Sequence, residues 1–418
     1  MNGKGNLRFP DGFLWGAATA SHQVEGGNIN NWSQWEQKNA KQKAQSAKQK
    51  DWPQYLLKKY PSPLNEENYI SGRACDHYHL FEQDFDIAKV LGFNAYRFSI
   101  EWSRIEPEEG RFNEIEIEHY RQVIKALCAR GIEPFVTLWH WPIPLWLDKK
   151  GGWKSGKIVD YFERYTEKFV TSLKEEVRFW ITLNEPEIFS GNSYLKGIWP
   201  PQSKNLISYL RVFSNLAKAH KKAFKIIKKI NPQAQIGIAK NNIYFEAYKD
   251  RTANRILKSF IDWWWNFHFL NQIKDHQDFI GLNHYFHNRI NYGFGKNENK
   301  KLSDLGWELY PESIYYVLKD LKKYNKPIYI TENGLADAID QNREWFITES
   351  LKNVHRAIDQ DVDVHGYLYW SLLDNFEWDK GFWPRFGLVE VDYKTLERKI
   401  RSSAYKYAEI CKSNQLIV

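Results

Sequence analysis

The chain has 418 residues, enough for two or three average domains or for one large α/β barrel. Its hydrophobic content of 43% excludes a globally disordered chain. The formal net charge of +8 is modest, and the loose basic run over residues 41–50 has no interleaved aromatic side chains, which argues against nucleic-acid binding.

The predicted elements alternate between short apolar runs and amphipathic stretches. Eight apolar runs are typical of buried parallel strands, and a helical pattern follows most of them. The predicted strands cover residues 13–18, 95–100, 132–138, 177–183, 236–239, 279–283, 328–331 and 364–369. The predicted helices include residues 114–130, 158–173, 206–230, 311–324 and 344–359.

Repeated strand-then-helix order predicts a parallel sheet, and eight repeats predict its closure into a single (β/α)8 TIM barrel. A doubly wound open sheet is the alternative, but the first strand is not followed by the glycine-rich phosphate loop that such sheets usually carry. No linker divides the chain, so we expect one catalytic domain over residues 1–418. The polar stretch 37–72 is expected to form a long, partly helical loop after the first strand, at the catalytic mouth.

The spacing of the cysteines and the absence of targeting signals indicate where the protein is located and which ligands it lacks. Cys75, Cys128 and Cys411 match no disulfide framework and no metal-binding spacing. The N-terminus lacks the apolar core of a signal peptide, and no run reaches the length of a transmembrane helix. We therefore expect a cytoplasmic protein with no metal, no cofactor and neither membrane nor nucleic acid as a partner; the oligomeric state stays open.

Polar side chains follow several of the predicted strands, and in a parallel barrel these strand ends converge on one pocket. Two of them are glutamates, Glu185 in Thr-Leu-Asn-Glu-Pro and Glu332 in Ile-Thr-Glu-Asn-Gly. A lone Glu after a strand is usually a helix cap or a surface residue. Two on one pocket are what glycosidic-bond cleavage needs, because one must protonate the leaving oxygen and the other must attack the anomeric carbon. Further polar or aromatic residues at strand ends are His140, Asn283, Tyr285, Trp370, Glu377 and Trp378.

Spacing in the sequence cannot measure the separation of the two carboxyl groups, so retention and inversion both remain open at this stage. A barrel whose carboxylates bind a metal is the competing interpretation. Neither a third carboxylate nor a His-x-His pattern directly follows a neighbouring strand, which argues against it.

Motifs along nearly the whole chain resemble those of glycoside hydrolase family 1, the β-glucosidase and β-galactosidase family. The segment 9–27, FPDGFLWGAATASHQVEGG, is similar to the N-terminal signature of the family, and segments 75–78, 96–105 and 381–388 are further matches. The resemblance implies a retaining exo-β-glycosidase of small β-glycosides or oligosaccharides. A Glu rather than a Gln as acid/base implies O-glycosides, and the Phe-Glu-Trp triplet at 376–378 implies unphosphorylated β-D-glucosides or galactosides.

The resemblance also implies a role for each matched residue. Glu185 resembles the acid/base and Glu332 the nucleophile. Arg97 and Tyr285 match residues that hold the nucleophile, and the guanidinium is expected to keep its pKa low. The substrate-binding residues implied in the same way are Asn184 at the 2-hydroxyl, Trp370 beneath the sugar, and Gln23, His140, Glu377 and Trp378 around the 3-, 4- and 6-hydroxyls, with Asn283 as a further candidate.

The chain departs from the family in two places. A proline, Pro142, follows His140-Trp141 where the family usually has Asp. In addition, a tryptophan-rich helix over about 252–269 runs almost directly into the sixth strand, so the segment between strands five and six is shortened.

The shortened segment makes closure of the barrel wall uncertain and predicts a wider cleft with raised mobility over residues 241–254. It also predicts exposed aromatic surface among Trp263, Trp264, Trp265, Phe267 and Phe269. The alternatives to an active glycosidase are a catalytically weak sugar-binding barrel and a cofactor-binding or scaffold protein that uses an opened wall. Intact Glu185 and Glu332 argue against the first of these.

Overall fold

The structure is a computed structural model and describes residues 6–173 and 176–417. Eight parallel strands close into a barrel, in which the eighth strand pairs with the first. The strands are β1 Leu14–Ala18, β2 Ala95–Ser99, β3 Glu133–Thr137, β4 Phe179–Asn184, β5 Gln235–Asn241, β6 Ile280–Asn283, β7 Ile328–Asn333 and β8 Val364–Trp370. The predicted TIM barrel is confirmed.

A helix follows each strand, and most of these helices pack an apolar face against the barrel. These helices are α1 His77–Val90, α2 Glu114–Ala129, α3 Ile158–Leu173, α4 Leu206–Ile230, α5 Thr252–Asp262, α6 Ser313–Leu321, α7 Arg343–Ile358 and α8 Ser402–Ser413. The helix after β5 packs instead against the strands Tyr244–Ala247 and His287–Ile290. After α5 the chain continues through a π-helical turn, Trp263–Phe267, into the short helix His268–Ile273. Asparagine caps begin two of the helices, since Asn113 accepts from backbone N–H groups of α2 and Asn205 from one of α4.

An aromatic layer fills the inside of the barrel near the amino ends of the strands. Phe135 and Phe179 stack with their ring centroids 4.2 Å apart, and the rings of Phe279 and Tyr329 pack edge-on against both. Because this layer closes one end of the barrel, a pocket can open only at the carboxyl ends of the strands.

The polar stretch after β1 is partly helical, as expected, and it packs against the segment that follows β8. Its helices are Asn31–Ser46 and Gln54–Leu57, with 3₁₀ turns at Gln49–Asp51 and Glu66–Tyr69. Lys43 Nζ donates to the carbonyl of Asp379 at 2.6 Å, and the Asn68 amide donates to the carbonyl of Lys380 at 3.0 Å. The loop therefore supports the chain segment that carries Glu377 and Trp378.

Short elements complete the described chain. Three strand pairs lie outside the barrel: Asn6–Arg8 with Gln415–Ile417, Val389–Val391 with Arg398–Ile400, and Tyr244–Ala247 with His287–Ile290. The short helices and turns are Ser21–Val24, Trp102–Ile105, Leu145–Lys149, Gly152–Lys154, Pro186–Ser190, Gly191–Leu195, Tyr248–Asp250, Lys322–Tyr324 and Trp378–Lys380. Among the described residues, no helix combines the length and the apolar composition needed to cross a lipid bilayer.

The barrel wall between β5 and β6 is closed. The sequence left its closure uncertain, and the interpretation in which the barrel is open here is wrong. β5 runs two residues beyond its apolar run, and this extension pairs with β6 as far as Asn241 and Asn283. The exposed aromatic surface is confirmed in part, because Trp263 is 43% exposed whereas Phe269 is fully buried. The wider cleft and the higher mobility over 241–254 stay predictions.

Candidate active site

A cavity of about 400 Å³ opens at the carboxyl ends of the barrel strands. Glu185 directly follows β4 and Glu332 lies in β7, and both side chains line the cavity. The structure brings every predicted site residue to this place, since each one lines the cavity or hydrogen-bonds a residue that does. The remaining predicted residues are Gln23, Arg97, His140, Asn184, Asn283, Tyr285, Trp370, Glu377 and Trp378.

Glu332 is held by one cation and one phenol. Arg97 Nη1 donates to its Oε1 at 2.5 Å, and the Tyr285 hydroxyl donates to its Oε2 at 2.8 Å. Arg97 on β2 is completely buried, and its other nitrogens donate to Thr137 Oγ1 and Asn184 Oδ1. A guanidinium that is fixed in this way keeps one oxygen of Glu332 in place. Among the described residues, the carboxylate of Glu332 is the only charged partner of Arg97.

Two amides hold Glu185, and no cation among the described residues lies within ion-pair distance of it. Asn241 and Asn283 each donate from Nδ2 to its Oε1 at 3.0 Å. The backbone of Glu185 has a φ of 44°, which ends the strand and allows a short helix to begin at Pro186, a residue suited to the first helical position. With both amides on Oε1, the proton of a neutral Glu185 lies on Oε2.

The two carboxyl groups differ in their protonation. Burial raises the pKa of Glu185 to about 8, and the negative charge of Glu332 adds to the effect. Burial also raises the pKa of Glu332, and Arg97 and Tyr285 offset this only partly, so the expectation that the guanidinium keeps this pKa low is wrong. Because only Glu332 has a cationic partner, it ionises first. The pair therefore loses its first proton from Glu332 and its second from Glu185.

One side of the cavity presents buried polar atoms that lack partners among the described residues. Gln23 donates to the carbonyl of Phe376 at 2.8 Å and more weakly to Glu377, while its Oε1 has no hydrogen bond. The amide of Asn184 donates to Nε2 of His140 at 3.0 Å, which leaves Nδ1 of His140 unpaired. Burial, reinforced by Arg97, lowers the pKa of His140 well below its usual value, so the ring is neutral. A ligand rich in hydroxyl groups would satisfy these atoms.

Indole and imidazole rings form the wall beside these polar atoms. The ring of His140 is stacked against Trp378 and Trp370, with centroids 5.8 and 6.0 Å apart. Trp141 and Trp199 pack behind Trp378, and Trp199 Nε1 donates to Asp379 at 2.8 Å. Such a wall suits the apolar face of a sugar ring.

The other side of the cavity was missed by the sequence analysis. Ile243, Trp265 and Phe286 line it, and Asn241 contacts Glu185 directly. The signal was present for Asn241, because the fifth apolar run is followed at once by Lys-Asn-Asn, the same strand-then-polar pattern used at the other strand ends.

Two buried carboxyl groups, of which only Glu332 has a cationic partner among the described residues, at the carboxyl end of a closed (β/α)8 barrel define a barrel glycoside hydrolase. Within residues 6–173 and 176–417, no cluster of three or more His, Cys, Asp or Glu side chains is arranged to hold a metal ion. The family model for glycosyl hydrolase family 1 matches residues 6–271 and 266–416. The chain belongs to glycosyl hydrolase family 1.

Individual relatives agree with this assignment. The chain is 35% identical to beta-glucosidase A of Thermotoga maritima, over 98% of this chain and 99% of that protein. It is also similar to the solved beta-glycosidase from Pyrococcus horikoshii, with a TM-score of 0.87, 38% identity and coverage of 99% and 96% of the two chains. A beta-glucosidase from Thermotoga maritima in complex with glucoimidazole gives a TM-score of 0.85 at 32% identity, covering 98% and 99%.

The protein is therefore an O-glycosyl hydrolase, a retaining exo-β-glycosidase, and not one of the two non-catalytic alternatives. The two segments that match the family model overlap at residues 266–271. This is the position at which the sequence places the shortened connection between β5 and β6.

Proposed function

We propose that this single catalytic domain hydrolyses terminal, unphosphorylated β-D-glucosides and β-D-galactosides, with Glu332 as nucleophile and Glu185 as acid/base. The observation that carries the proposal is the unequal pairing of the two carboxyl groups. Glu332 has Arg97 and Tyr285 as partners, whereas Glu185 has only two neutral amides. The relatives named beta-glucosidase and beta-galactosidase support the substrate class.

In the first step, the Glu332 carboxylate attacks the anomeric carbon from one face of the sugar. Glu185 donates its proton to the glycosidic oxygen, the bond to that oxygen breaks, and the aglycone leaves as an alcohol. Arg97 and Tyr285 hold the attacking oxygens in a fixed orientation, which lowers the entropic part of the barrier. The product of this step is a glycosyl ester on Glu332.

Ester formation changes the task of Glu185. The negative charge of Glu332 is one cause of the raised pKa of Glu185, and this charge disappears in the ester. Glu185 can then act as a base and take a proton from a water molecule, which attacks the anomeric carbon from the face opposite Glu332. The bond between that carbon and the Glu332 oxygen breaks, and Glu332 leaves as a carboxylate. Two displacements restore the β configuration, and Glu185 is protonated again for the next cycle.

The polar side of the cavity supports an uncharged sugar as the substrate. Burial raises the pKa of Glu377 to about 8, and Asp379 adds to this rise. A protonated Glu377 can both donate to and accept from a sugar hydroxyl. A phosphate on the sugar would instead bring negative charge close to Asp379 and Glu332, which disfavours phosphorylated substrates.

Replacement of the nucleophile tests this proposal. Glu332→Ala should reduce turnover of a nitrophenyl β-glucoside by roughly 100,000-fold, because no group remains to form the ester. Added azide should restore part of the activity and give the α-glycosyl azide, since a single displacement inverts the anomeric carbon.

Glu106→Gln is a suitable control, because Glu106 is also a buried carboxyl group but binds Trp102 and the backbone of Gly110 instead of lining the cavity. It should retain turnover and show no response to azide. A rescued Glu332→Ala product of β configuration would contradict the assignment.

A further inference from the structure

Lys240 on β5 is a completely buried lysine in a position that should be apolar. Side chains alternate along a strand, and Ile236 and Ile238 belong to the core between the barrel and its helices, whereas Ala239 faces the barrel interior. Lys240 therefore points outward into the helix layer, and Asn241 points inward to the cavity. Burial lowers the pKa of Lys240, with Glu187 as the largest opposing influence. A lysine is not placed there without compensating partners.

The Lys240 ammonium has three such partners. Its Nζ donates to the carbonyl of Asn241 at 2.7 Å and to the carbonyl of Trp265 at 2.8 Å. It also lies 3.2 Å from Oε1 of Glu187. Among the described residues, Lys240 is the only cation within ion-pair distance of Glu187, whose carboxyl group is itself buried.

The three partners belong to three different parts of the active site. Asn241 ends β5, and its side chain donates to Glu185. Trp265 belongs to the π-helical turn of the shortened connection, and its side chain lines the cavity. Glu187 lies two residues after Glu185 in the short helix Pro186–Ser190. One buried cation thus joins the acid/base segment, the strand that supplies its amide donor, and the shortened connection.

The neighbouring Asn266 strengthens the same junction. Its Oδ1 accepts from the backbone N–H of Ile243 at 2.9 Å, and its Nδ2 donates to the carbonyl of Ile243 at 2.7 Å. The π-helical turn is therefore attached to the end of β5 on both sides of Asn241. Within this turn, the ammonium of Lys240 supplies a donor to the carbonyl of Trp265.

We propose that Lys240, paired with Glu187, is a positioning residue for the acid/base: it fixes Asn241 against Glu185 and attaches the shortened β5–β6 connection to the active site. The proposal rests on the proposed role of Glu185. Lys240 does not touch the substrate, so its loss should affect proton donation to the leaving group and leave nucleophilic attack by Glu332 intact.

The test compares two glucosides whose leaving groups differ in their need for proton donation. Lys240→Met keeps most of the length of the side chain and removes the charge and the donor. It should lower kcat/KM for an alkyl β-glucoside on the order of 10-fold more than kcat/KM for a dinitrophenyl β-glucoside, because a small misplacement of a catalytic group is costly. Glu187→Gln should cause a smaller difference in the same direction, since it retains an acceptor for Lys240.

Lys228→Met is the matched control. Lys228 donates to the carbonyl of Ala234 and pairs with Asp278 at 2.8 Å, so it joins the same two strands at their amino ends, away from the cavity. Its replacement should lower the melting temperature and leave the ratio of the two substrates unchanged. Glu185→Gln, measured alongside, gives the full effect of losing the acid.

The outcomes separate the two proposals. If Glu185→Gln changes the substrate ratio but folded Lys240→Met and Glu187→Gln do not, the positioning role is wrong and the proposed function stands. If Glu185→Gln also leaves the ratio unchanged, the proposed role of Glu185 is wrong. Should Lys240→Met fail to fold, Glu187→Gln decides the question, because it is nearly isosteric and an unchanged ratio contradicts the positioning role.

Discussion

The two sides of the active-site cavity are built in different ways. The side around Gln23, His140 and Glu377 presents polar atoms and indole rings from segments that carry recognisable motifs. The opposite side, beyond Glu185, is formed by Ile243, Trp265 and Phe286 and depends on the shortened connection between β5 and β6. Its polar contacts with the catalytic pair come from Asn241 and Asn283, and its backbone is held by a buried lysine.

The proposed function gives each side a different group to recognise, the sugar on the side around Gln23 and the aglycone on the side beyond Glu185. A pyranose ring presents a fixed set of hydroxyl groups, so the residue types that bind it are strongly constrained. An aglycone can have almost any shape, and the wall that faces it can be set by the path of the backbone. Changes on the first side should therefore alter recognition of the sugar, and changes on the second should alter the response to the leaving group.

The largest effect is expected at the acid/base. Glu185→Gln should lower kcat/KM for alkyl glycosides by about 100- to 10,000-fold, because an alkoxide cannot leave without a proton. Dinitrophenyl glycosides should lose far less, since their leaving group needs little protonation. Steady-state kinetics on both substrates measures this, and an equal loss on both would show that Glu185 is structural.

A smaller effect should separate the two sides of the cavity. Glu377→Ala removes a buried partner of sugar hydroxyls and should lower kcat/KM for glucosides by roughly 100-fold with every aglycone. Ile243→Ala removes apolar contact on the other side and should cost roughly 10-fold, mainly through KM and only with bulky aglycones. A Glu377→Ala effect that varies with the aglycone would contradict the division.

Changes of pH should alter kcat/KM the least, but the direction of each change follows directly from the protonation of the two carboxyl groups. Activity requires Glu332 ionised and Glu185 protonated, so kcat/KM should rise with pH as Glu332 loses its proton. It should fall again as pH passes the pKa of Glu185, at about 8. A profile that stays flat between about pH 4 and 9, a range that spans both carboxyl groups, would count against the pair.

Much of the fold could be predicted because its signals are local. The helices over 158–173 and 206–230 have the predicted bounds, since an amphipathic pattern with period 3.6 reports directly which face is buried. The short outer strand pair Tyr244–Ala247 with His287–Ile290 was not predicted. Each of these strands has only four residues, and they pair across a long stretch of sequence, so no local pattern marks them.

The prediction of the site was limited in the same way, because local sequence patterns identify some of its residues and miss others. Glu185 and Glu332 were found because motifs surround them, and the structure brings them together. Asn241 was missed because the predicted fifth strand ended with its apolar run at Ala239, whereas β5 continues to Asn241. Because Lys240 is polar, the sequence predicts that the strand ends before it. The partners that allow Lys240 to be buried, Glu187 and the carbonyl of Trp265, lie elsewhere in the sequence.

The expected cytoplasmic location stays a prediction.

Trapping of the glycosyl-enzyme tests the central assignment most directly. A 2-deoxy-2-fluoro-β-glucoside with a dinitrophenyl leaving group should form the ester quickly and hydrolyse it slowly, because the fluorine destabilises both transition states while the good leaving group compensates only in the first. Mass spectrometry of the digested protein should find the sugar on the peptide that contains Glu332, and no label on Glu332→Ala. A label on the peptide with Glu185 or Glu377, or the absence of any covalent species while the substrate is consumed, would contradict the account.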